Sequence, residues 1–355
     1  MKTKLIVFSS VLLAFTSCTT NPKVEETQTK PTSVDSVANW DGCMLSAYVF
    51  QEDGRHLPEN AAEIVSDFET LVDHKLGSVM WYPTFADSFP TAECNTLKEQ
   101  NVIPHLTWEL FFPDSVDYNT MPLEGTYELM DQVLEGQHDT YIEQFAADAK
   151  AFEEKLHVRF LHEFNGNWYL WGGRKNGAEN GGPQKVVAVW KYVVDKFRAV
   201  GADNVKWVWN PHGPSIDITT DAWNSLANYW PGSDYVDWIG MDAYNWYPKD
   251  PWGGERPYRD FDNCFRELYD ACLELGDHPI MIAEFGTPEF DYEGVNKADW
   301  INDALSKIKN EYPKIKLLLW FHINKELDWR VNSSEEALKA FKEGVKDPYF
   351  IGKNE

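Results

Sequence analysis

Eight short runs of apolar, β-forming residues recur along the 355-residue chain, and amphipathic stretches with helical periodicity separate them. The runs lie at 43–50, 77–85, 102–110, 158–165, 205–211, 236–244, 279–286 and 315–322. Each run is nearly continuously apolar, which is typical of parallel strands covered on both faces. The helical stretches include 59–75, 139–155, 184–200, 258–275 and 296–310. This alternation predicts an α/β fold, a single (β/α)8 TIM barrel.

An open, doubly wound sheet is the alternative arrangement for alternating strands and helices. Such a sheet commonly carries a Gly-rich phosphate-binding turn after its first strand, and no such turn follows the run at 43–50. We find no internal repeat and no second domain. The barrel is therefore expected to form one domain over 37–355.

The first eighteen residues (1–18) have the pattern of a secretory signal peptide. Lys2 and Lys4 precede an apolar run that is too short to span a bilayer and ends in small residues before Cys18. That ending indicates lipoprotein processing, although Phe15 stands where Leu is commoner, so a plainly cleaved signal is the alternative. We expect a secreted protein, lipid-anchored at a bacterial outer membrane on its periplasmic side or at the cell surface. Residues 19–36 contain almost no large apolar side chains and are expected to form a disordered tether.

The net charge of −25 excludes nucleic acid as a partner, because binding phosphates requires a basic face. The charge also argues against binding to anionic lipid or an acidic polysaccharide, and otherwise favours solubility. The 16 Trp, 16 Tyr and 20 Phe residues exceed what a core needs. Aromatic rings with polar edges match sugars, which carry C–H groups on one face and hydroxyls around the rim. A neutral polysaccharide or oligosaccharide is the expected partner.

The cysteines and histidines do not predict a metal centre. Cys43, Cys94, Cys264 and Cys272 show no zinc-ligand spacing and form no disulfide framework, although a single bridge is left open. The HEFNG segment at 162–166 resembles the metalloprotease HExxH motif but lacks its second histidine. We therefore expect no metal and no cofactor.

Polar residues at the carboxyl ends of barrel strands point into the mouth of the barrel, where active sites lie. This chain places carboxylates, aromatic rings and amides at those ends: Trp108, Glu109, His162, Glu163, Trp209, Asn210, Asp242, Tyr244, Glu284, Trp320 and His322. Glu163 and Glu284 are the best catalytic pair, because each ends an apolar run beside aromatic residues. For an isolated glutamate, a loop or ion-pair role is the ordinary interpretation, but two in these contexts favour chemistry. The expected substrate contacts include Trp108, Glu109, Trp171, Trp209, Asn210 and Trp320, with a role in supporting the residues that contact substrate as the alternative for Glu109.

Two carboxylates in one cleft suit the cleavage of a glycosidic bond. One carboxyl group gives a proton to the leaving oxygen, and the other, ionised, attacks the anomeric carbon or activates water. A separation of about 5–5.5 Å between Glu163 and Glu284 would give retention of configuration. The indoles of Trp168 and Trp171 follow Glu163 closely and would hold a pyranose flat, with packing in the core as the alternative for both.

Four ordered stretches together resemble glycoside hydrolase family 26: RFLHEFNGNWYLWGG, YVDWIGMDAYNW, PIMIAEFG and LLLWFHINKELDWRVNSS. This family contains retaining (β/α)8 enzymes known mainly as endo-β-1,4-mannanases, with some members acting on mixed-linkage β-glucan or β-1,3-xylan. The resemblance spans most of 43–345. It implies that Glu163 is the acid/base and Glu284 the nucleophile. It also implies that His162 helps to orient the site, Trp168 stacks on the sugar beside the cleavage point, and Tyr244 hydrogen-bonds the nucleophile.

Other positions bear on which sugar the site accepts. Arg330 lies where the family often has an arginine that contacts a sugar on the non-reducing side. Glu109, in a TWE segment, stands where typical mannanases have a histidine, and Leu170 replaces an aromatic residue of their WFWWG motif. Both departures lean towards the glucanase-like branch of the family.

The expected substrate is β-1,4-mannan, with mixed-linkage β-1,3-1,4-glucan or β-1,3-xylan as alternatives within the family. Endo action is inferred from an open groove, although the loops at 166–183 and 245–258 could close one end. A monomer is the default. A competing interpretation from another class is a non-catalytic, surface glycan-binding lipoprotein, which would not need two carboxylates at the position of the scissile bond.

Overall fold

The computed structural model of the chain describes residues 41–50, 59–112, 127–213 and 220–352. The predicted signal peptide, Cys18 and the tether lie outside these ranges, so what the sequence predicts for them stays a prediction. Among the described residues, no helix combines the length and the apolar character needed to cross a bilayer. The four cysteines of the described ranges are buried free thiols.

Eight parallel strands close into a barrel in the order in which they occur along the chain. With three short additional strands, the strands of the described residues are β1 (Cys43–Val49), β2 (Ser78–Trp81), β3 (Ile103–Trp108), β4 (Leu156–Phe160), β5 (Val205–Trp209), β6 (Trp238–Tyr244), β7 (Ile280–Gly286), β8 (Asp291–Tyr292), β9 (Val295–Asn296), β10 (Ile315–His322) and β11 (Phe350–Ile351). Strands β1 to β7 and β10 form the barrel, and β10 pairs with β1 to close it. The short strands β8 and β9 form an antiparallel hairpin, and β11 pairs with the start of β1. The predicted single (β/α)8 barrel is confirmed.

Helices connect the strands around the outside of the barrel. They are α1 (Ala61–Val72), α2 (Thr91–Glu99), α3 (Glu128–Leu134), α4 (Asp139–Phe152), α5 (Gly182–Val200), α6 (Leu226–Tyr229), α7 (Phe261–Leu273), α8 (Lys297–Glu311) and α9 (Glu335–Val345). The five predicted helical stretches correspond to α1, α4, α5, α7 and α8. Local residues set several helix ends. For example, the Asn296 side chain accepts the N–H groups of Ala298 and Asp299, while Asp299 accepts the N–H of Asn296.

Side chains alternate between the two faces of each strand, and β4 shows the consequence most clearly. Leu156, Val158 and Phe160 join the large hydrophobic layer between the barrel and its helices. His157 and Arg159 have the opposite orientation and lie inside the barrel, where His157 contacts the rings of other inward residues and Arg159 makes ion pairs. The two faces of this buried strand therefore lie in different environments. One face packs in the apolar layer, and the other faces the barrel interior, which opens at the mouth of the barrel.

Candidate active site

A cleft of about 1250 Å³ lies at the carboxyl ends of the barrel strands. Its walls are mostly aromatic, and they carry Glu109, Glu163 and Glu284 as well as basic and amide side chains. The aromatic lining consists of Tyr48, Phe50, Tyr82, Trp168, Tyr169, Tyr244, Trp246, Trp252, Phe321 and Trp329. A concave site with apolar walls and a few converging polar groups is the usual form of a small-molecule or glycan site.

A tight turn after β4 aims Glu163 into the cleft. Leu161 and Glu163 both adopt left-handed backbone angles, with φ of 49° and 53°. Such conformations are unfavourable for side chains of this size and tend to occur at functional sites. The backbone N–H of Glu163 donates to the carbonyl of Asn210 at the end of β5, 2.7 Å away, which fixes the turn.

Trp168 and His212 both lie close to the Glu163 carboxyl group. The indole N–H of Trp168 donates to its Oε2 at 2.6 Å, and His212 Nε2 lies 3.5 Å from its Oε1. Gly166 allows this approach, because a Cβ at that position would lie 2.5 Å from the Trp168 ring. His212 Nδ1 lies 2.6 Å from the Gly213 carbonyl, to which it donates in the neutral tautomer with the proton on Nδ1. In that tautomer its Nε2 faces Glu163 as an acceptor.

A bulge in β7 aims Glu284 into the same cleft. Met241 pairs with Ile282 and Asp242 pairs with Glu284, so β7 contains one more residue than β6 over this interval. The pairing with β10 shows the same extra residue, because Leu318 opposes Ile282 whereas Trp320 opposes Phe285. A bulge shifts the alternation of side chains, and it is a common device for re-aiming a residue next to an active site.

Three donors converge on Glu284: Tyr82, which directly follows β2, Arg159 in β4 and Tyr244 at the end of β6. The hydroxyl groups of Tyr82 and Tyr244 donate to Oε1 and Oε2, each at 2.6 Å. The guanidinium of Arg159 donates to Oε1 through Nη2. Both oxygens of this buried carboxylate thus have hydrogen-bond donors.

Arg159 is fully buried inside the barrel and links Glu284 to Asp242. Its Nη1 donates to Asp242 Oδ2 at 2.8 Å, and its Nε donates to Thr107 Oγ1 at 2.8 Å. Carboxyl oxygens of Glu163, Asp242 and Glu284 lie within 4.8 Å of one another. Acidic groups this close could ligate a cation, but the guanidinium bonds two of the three carboxylates and supplies a positive charge among them.

The two glutamates have opposite protonation tendencies. Burial, followed by the negative charge of Glu284, raises the pKa of Glu163 to about 8. Burial alone would also raise the pKa of Glu284, but the charge of Arg159 and the hydrogen bonds from Tyr244, Tyr82 and Arg159 outweigh it and lower this pKa below its usual value. At neutral pH the site therefore holds a protonated carboxyl group beside an ionised one. Burial also lowers the pKa of His212 to about 4, so its imidazole is neutral.

Several predicted site residues meet in the cleft. Glu109, Glu163, Trp168, Tyr244 and Glu284 all line it. Burial, opposed in part by Arg159, raises the pKa of Glu109 to about 8, so a second neutral carboxyl group faces the cleft at neutral pH.

His162, Trp171 and Asn210 lie immediately behind the cleft and are buried. The indole N–H of Trp171 donates to the His162 carbonyl at 2.7 Å, and its ring stacks on Tyr169 with centroids 4.4 Å apart. The His162 ring also packs on Tyr169, with ring centroids 4.4 Å apart. Trp171 and Asn210, predicted to contact substrate, do not line the cleft; they support Tyr169 and the Glu163 turn instead.

Trp108, Trp209 and Trp320 were expected in the mouth of the barrel, and the structure corrects this. All three belong to the large hydrophobic layer between the barrel and its helices. Their indole N–H groups donate to Tyr141 Oη, the Tyr229 carbonyl and the Trp329 carbonyl, respectively. The reason is alternation along the strand: the neighbouring residues, such as Phe321 beside Trp320, face the cleft instead.

Arg330 is also placed differently from the expectation. Its guanidinium forms a two-bond ion pair with Asp328, from Nε to Oδ1 at 2.7 Å and from Nη2 to Oδ2 at 2.6 Å. It is not among the residues that line the cleft, whereas its neighbour Trp329 is. The predicted contact of Arg330 with a sugar therefore does not follow from this arrangement.

Sequence reasoning missed Tyr82 and Arg159, although both bond Glu284. Arg159 had a usable signal: a basic side chain within the apolar run VRFL requires a buried partner. Tyr82 had none, because it lies more than two hundred residues from Glu284 along the chain.

Comparison with known proteins agrees with this architecture. The Glycosyl hydrolase family 26 profile matches residues 134–355. Endoglucanase H of Acetivibrio thermocellus is 34% identical over 88% of this chain, and mannan endo-1,4-beta-mannosidase of Bacillus subtilis strain 168 is 29% identical over 51%. The chain spans only 31% and 42%, respectively, of the length of these relatives.

Solved structures share the fold at low identity. The catalytic domain of a GH26 endo-beta-1,4-mannanase from Bacillus sp. JAMB-750 has a TM-score of 0.65 at 17% identity, covering 88% of this chain and 87% of that one. A GH26 beta-mannanase from Bacteroides ovatus has a TM-score of 0.61 at 16% identity, covering 91% and 94%. The family resemblance of the four sequence motifs is confirmed, and the chain belongs to glycosyl hydrolase family 26.

Proposed function

We propose that this protein is a retaining, endo-acting glycoside hydrolase that cleaves a neutral β-linked polysaccharide by double displacement. One observation carries the proposal: a protonated Glu163 and an ionised Glu284 have carboxyl oxygens no more than 4.8 Å apart in one cleft. Retaining glycosidases require two carboxyl groups about 5–5.5 Å apart with these two protonation states.

In the first step, Glu284 attacks the anomeric carbon while Glu163 protonates the departing oxygen. The carbon–oxygen bond to the leaving group breaks, and a bond from the sugar to a Glu284 oxygen forms. The hydrogen bonds from Tyr82, Tyr244 and Arg159 keep Glu284 ionised before attack. The same donors stabilise the carboxylate as a leaving group in the next step.

In the second step, Glu163 acts as a base. Once it has lost its proton, it takes a proton from a water molecule, which attacks the anomeric carbon and displaces Glu284. Two inversions give the product the configuration of the substrate. The Trp168 indole, held against Glu163 by its N–H bond, presents an aromatic face to the sugar beside the cleavage point.

The assignment is tested with Glu284→Gln and Glu163→Ala. The first variant loses the nucleophile, so turnover of polysaccharide falls by a factor of at least about 10⁴. The second variant loses proton donation, but substrates whose leaving group needs no proton still form the glycosyl-enzyme, which mass spectrometry detects. An NMR time course of the wild-type reaction should show the β-anomer as the first product. Full polysaccharide activity in either variant would end the assignment.

For the substrate we propose β-1,4-mannan. Several relatives that match parts of the chain are named mannan endo-1,4-beta-mannosidases, which supports this choice. Mixed-linkage β-glucan is the second candidate, because the relative that aligns with 88% of the chain is named an endoglucanase and because Glu109 lines the cleft. Mannan and glucan differ in the orientation of one hydroxyl group per sugar, which a few hydrogen bonds discriminate.

Side-by-side hydrolysis of galactomannan, barley β-glucan and β-1,3-xylan separates these candidates. The highest kcat/KM on galactomannan supports mannan, and the highest on barley β-glucan supports the second candidate. Release of reducing sugar from any of the three also tests the competing function, a glycan-binding lipoprotein without catalysis. Binding without release would favour that function over hydrolysis.

We further propose that the protein is exported and lipid-anchored through Cys18, with the tether at 19–36 between the anchor and the barrel. The support is the sequence pattern alone. Metabolic labelling with a fatty acid, lost in Cys18→Ala, tests the anchor. Labelling that persists in this variant would contradict it.

A further inference from the structure

Trp252 differs from the other aromatic residues of the cleft in being 70% exposed. Its ring centroid lies 5.6 Å from that of Trp246, which in turn lies 5.8 Å from Tyr244. Tyr244 donates a hydrogen bond to Glu284, the proposed nucleophile. Trp252 is thus connected to Glu284 through Trp246 and Tyr244, and it lies at the rim of the cleft. Trp246, by contrast, is only 7% exposed and forms part of the wall.

The turn that carries Trp252 is fixed by Asp250, whose side chain is buried. Asp250 Oδ1 accepts the backbone N–H groups of Trp252 at 3.0 Å and Gly254 at 2.9 Å, and its Oδ2 accepts Arg256 Nε at 2.5 Å. One carboxylate therefore holds both sides of the loop tip and leaves the indole outside.

Two glycines make this turn possible. Gly253 has a φ of 93°, which side-chain-bearing residues rarely adopt, and a Cβ on Gly254 would lie 2.6 Å from Asp250 Oδ2. The sequence DPWGGER at 250–256 thus specifies a hydrogen-bonded loop with an exposed tryptophan at its tip. A rigid aromatic ring binds with little loss of conformational entropy.

We propose that Trp252 is a stacking platform for a pyranose of the bound glycan, beyond the sugars held at Glu163 and Glu284. The inference rests on the proposed function for the identity of its ligand. An indole exposed in water loses unfavourable hydration when the C–H face of a sugar covers it. A single ring beside the Asp250–Arg256 ion pair is too small for a protein interface, whereas it matches one sugar ring.

A platform outside the catalytic pair matters only for chains long enough to reach it. We therefore expect Trp252→Ala to lower kcat/KM on polysaccharide about tenfold more than on a short aryl glycoside. Trp252→Phe should retain part of the effect, because it keeps a smaller aromatic face. Leu273→Ala is the matched control: Leu273 is an exposed apolar residue, 41% exposed, at the end of α7 and outside the cleft.

Binding is measured independently of catalysis by affinity electrophoresis in gels containing galactomannan or barley β-glucan, with Glu284→Gln introduced into the wild type and into each variant so that the polysaccharide stays intact. Retardation of the wild type and of Leu273→Ala, with reduced retardation of Trp252→Ala, supports the platform. Equal retardation of all three, or an equal loss of rate on short and long substrates, overturns it while leaving the proposed function intact. If the wild type neither hydrolyses nor binds any of the polysaccharides, the proposed function fails and the inference fails with it.

Discussion

Glu163 and Glu284 lie in one cleft, yet the surroundings of Glu163 favour its protonated form, whereas those of Glu284 favour its ionised form. Around Glu284, one guanidinium and two phenol hydroxyls donate hydrogen bonds to the carboxylate. Around Glu163, one indole N–H donates, and the neighbouring imidazole is neutral. Both residues are buried to the same extent, each being 6% exposed. Burial alone therefore favours the neutral form of both glutamates, and the number and charge of the hydrogen-bond donors decide which one stays ionised.

Arg159 contributes most to this difference, so its removal should have the largest effect. Arg159→Met leaves Glu284 and Asp242 buried without their positive partner, which raises the pKa of Glu284 and should lower the free energy of unfolding by about 3–5 kcal/mol. Loss of the preorganised charge should lower kcat/KM by about 10²–10³-fold. Denaturant unfolding and initial rates measure the two effects.

Two further variants sharpen the Arg159 test. Arg159→Lys keeps the charge but cannot bond both carboxylates through a planar fork, so it should fall between the wild type and Arg159→Met. In Arg159→Met/Asp242→Asn, the buried acidic group of Asp242, whose pKa burial already raises, is replaced by a neutral amide, and part of the lost stability should return. Wild-type stability in Arg159→Met would show that the guanidinium does not balance the cluster.

Tyr82 and Tyr244 should have the next largest effects. A hydrogen bond to a charged group contributes about 1.5–3 kcal/mol, and losing either one raises the pKa of Glu284. Because activity requires ionised Glu284, it is lost as the pH falls through that pKa. The acidic limb of the kcat/KM profile should therefore move to higher pH in Tyr82→Phe and in Tyr244→Phe.

The two tyrosines also make a matched pair. Tyr244 donates to Oε2, for which no second donor is recorded among the described residues, whereas Tyr82 shares Oε1 with Arg159. Tyr244→Phe should therefore move the limb further than Tyr82→Phe. The reverse order would mean that Arg159 does not compensate for a lost hydroxyl.

The sequence predicts where the strands lie, but it does not predict which side chains point into the barrel and which point towards the helices. The run at 236–244 became β6, Trp238–Tyr244, because a strand covered on both faces is apolar throughout. Because both faces of such a strand are apolar, residue type does not show which residues face inwards. The sequence therefore predicts Trp108 and Trp320 in the cleft, whereas both pack between the barrel and its helices. Arg159 could have fixed the alternation in β4, since a buried charge must face the polar interior.

The contacts of Glu284 were beyond sequence reasoning for a different reason. They depend on the extra residue in β7, and nothing in the run IMIAEFG marks a bulge. They also join β4, β6, β7 and the residue that follows β2, and the spacing of these elements in the chain carries no information about their distance once the barrel is closed. The chemistry of the pair could be predicted from residue type and strand-end position, whereas its electrostatic support could not.

Replacing Trp168 should have the smallest effect of these variants, and that effect is specific to the pKa of Glu163. Its N–H bond to Glu163 favours the ionised carboxylate and so lowers the pKa of Glu163 relative to what burial and Glu284 would give. Glu163 must be protonated to act as an acid, so activity is lost as the pH rises through about 8. Trp168→Phe removes the donor but keeps an aromatic face, so the basic limb of kcat/KM should move to higher pH, with less than about tenfold loss of rate at neutral pH.

Trp171→Phe is the matched control, because it removes an indole N–H that bonds the His162 carbonyl and touches neither carboxylate. That variant should leave the basic limb in place while lowering stability. A limb that moves equally in both variants, or moves to lower pH in Trp168→Phe, would mean that the group titrating near pH 8 is not Glu163, and Glu109, whose pKa is also raised to about 8, would then be the group to test.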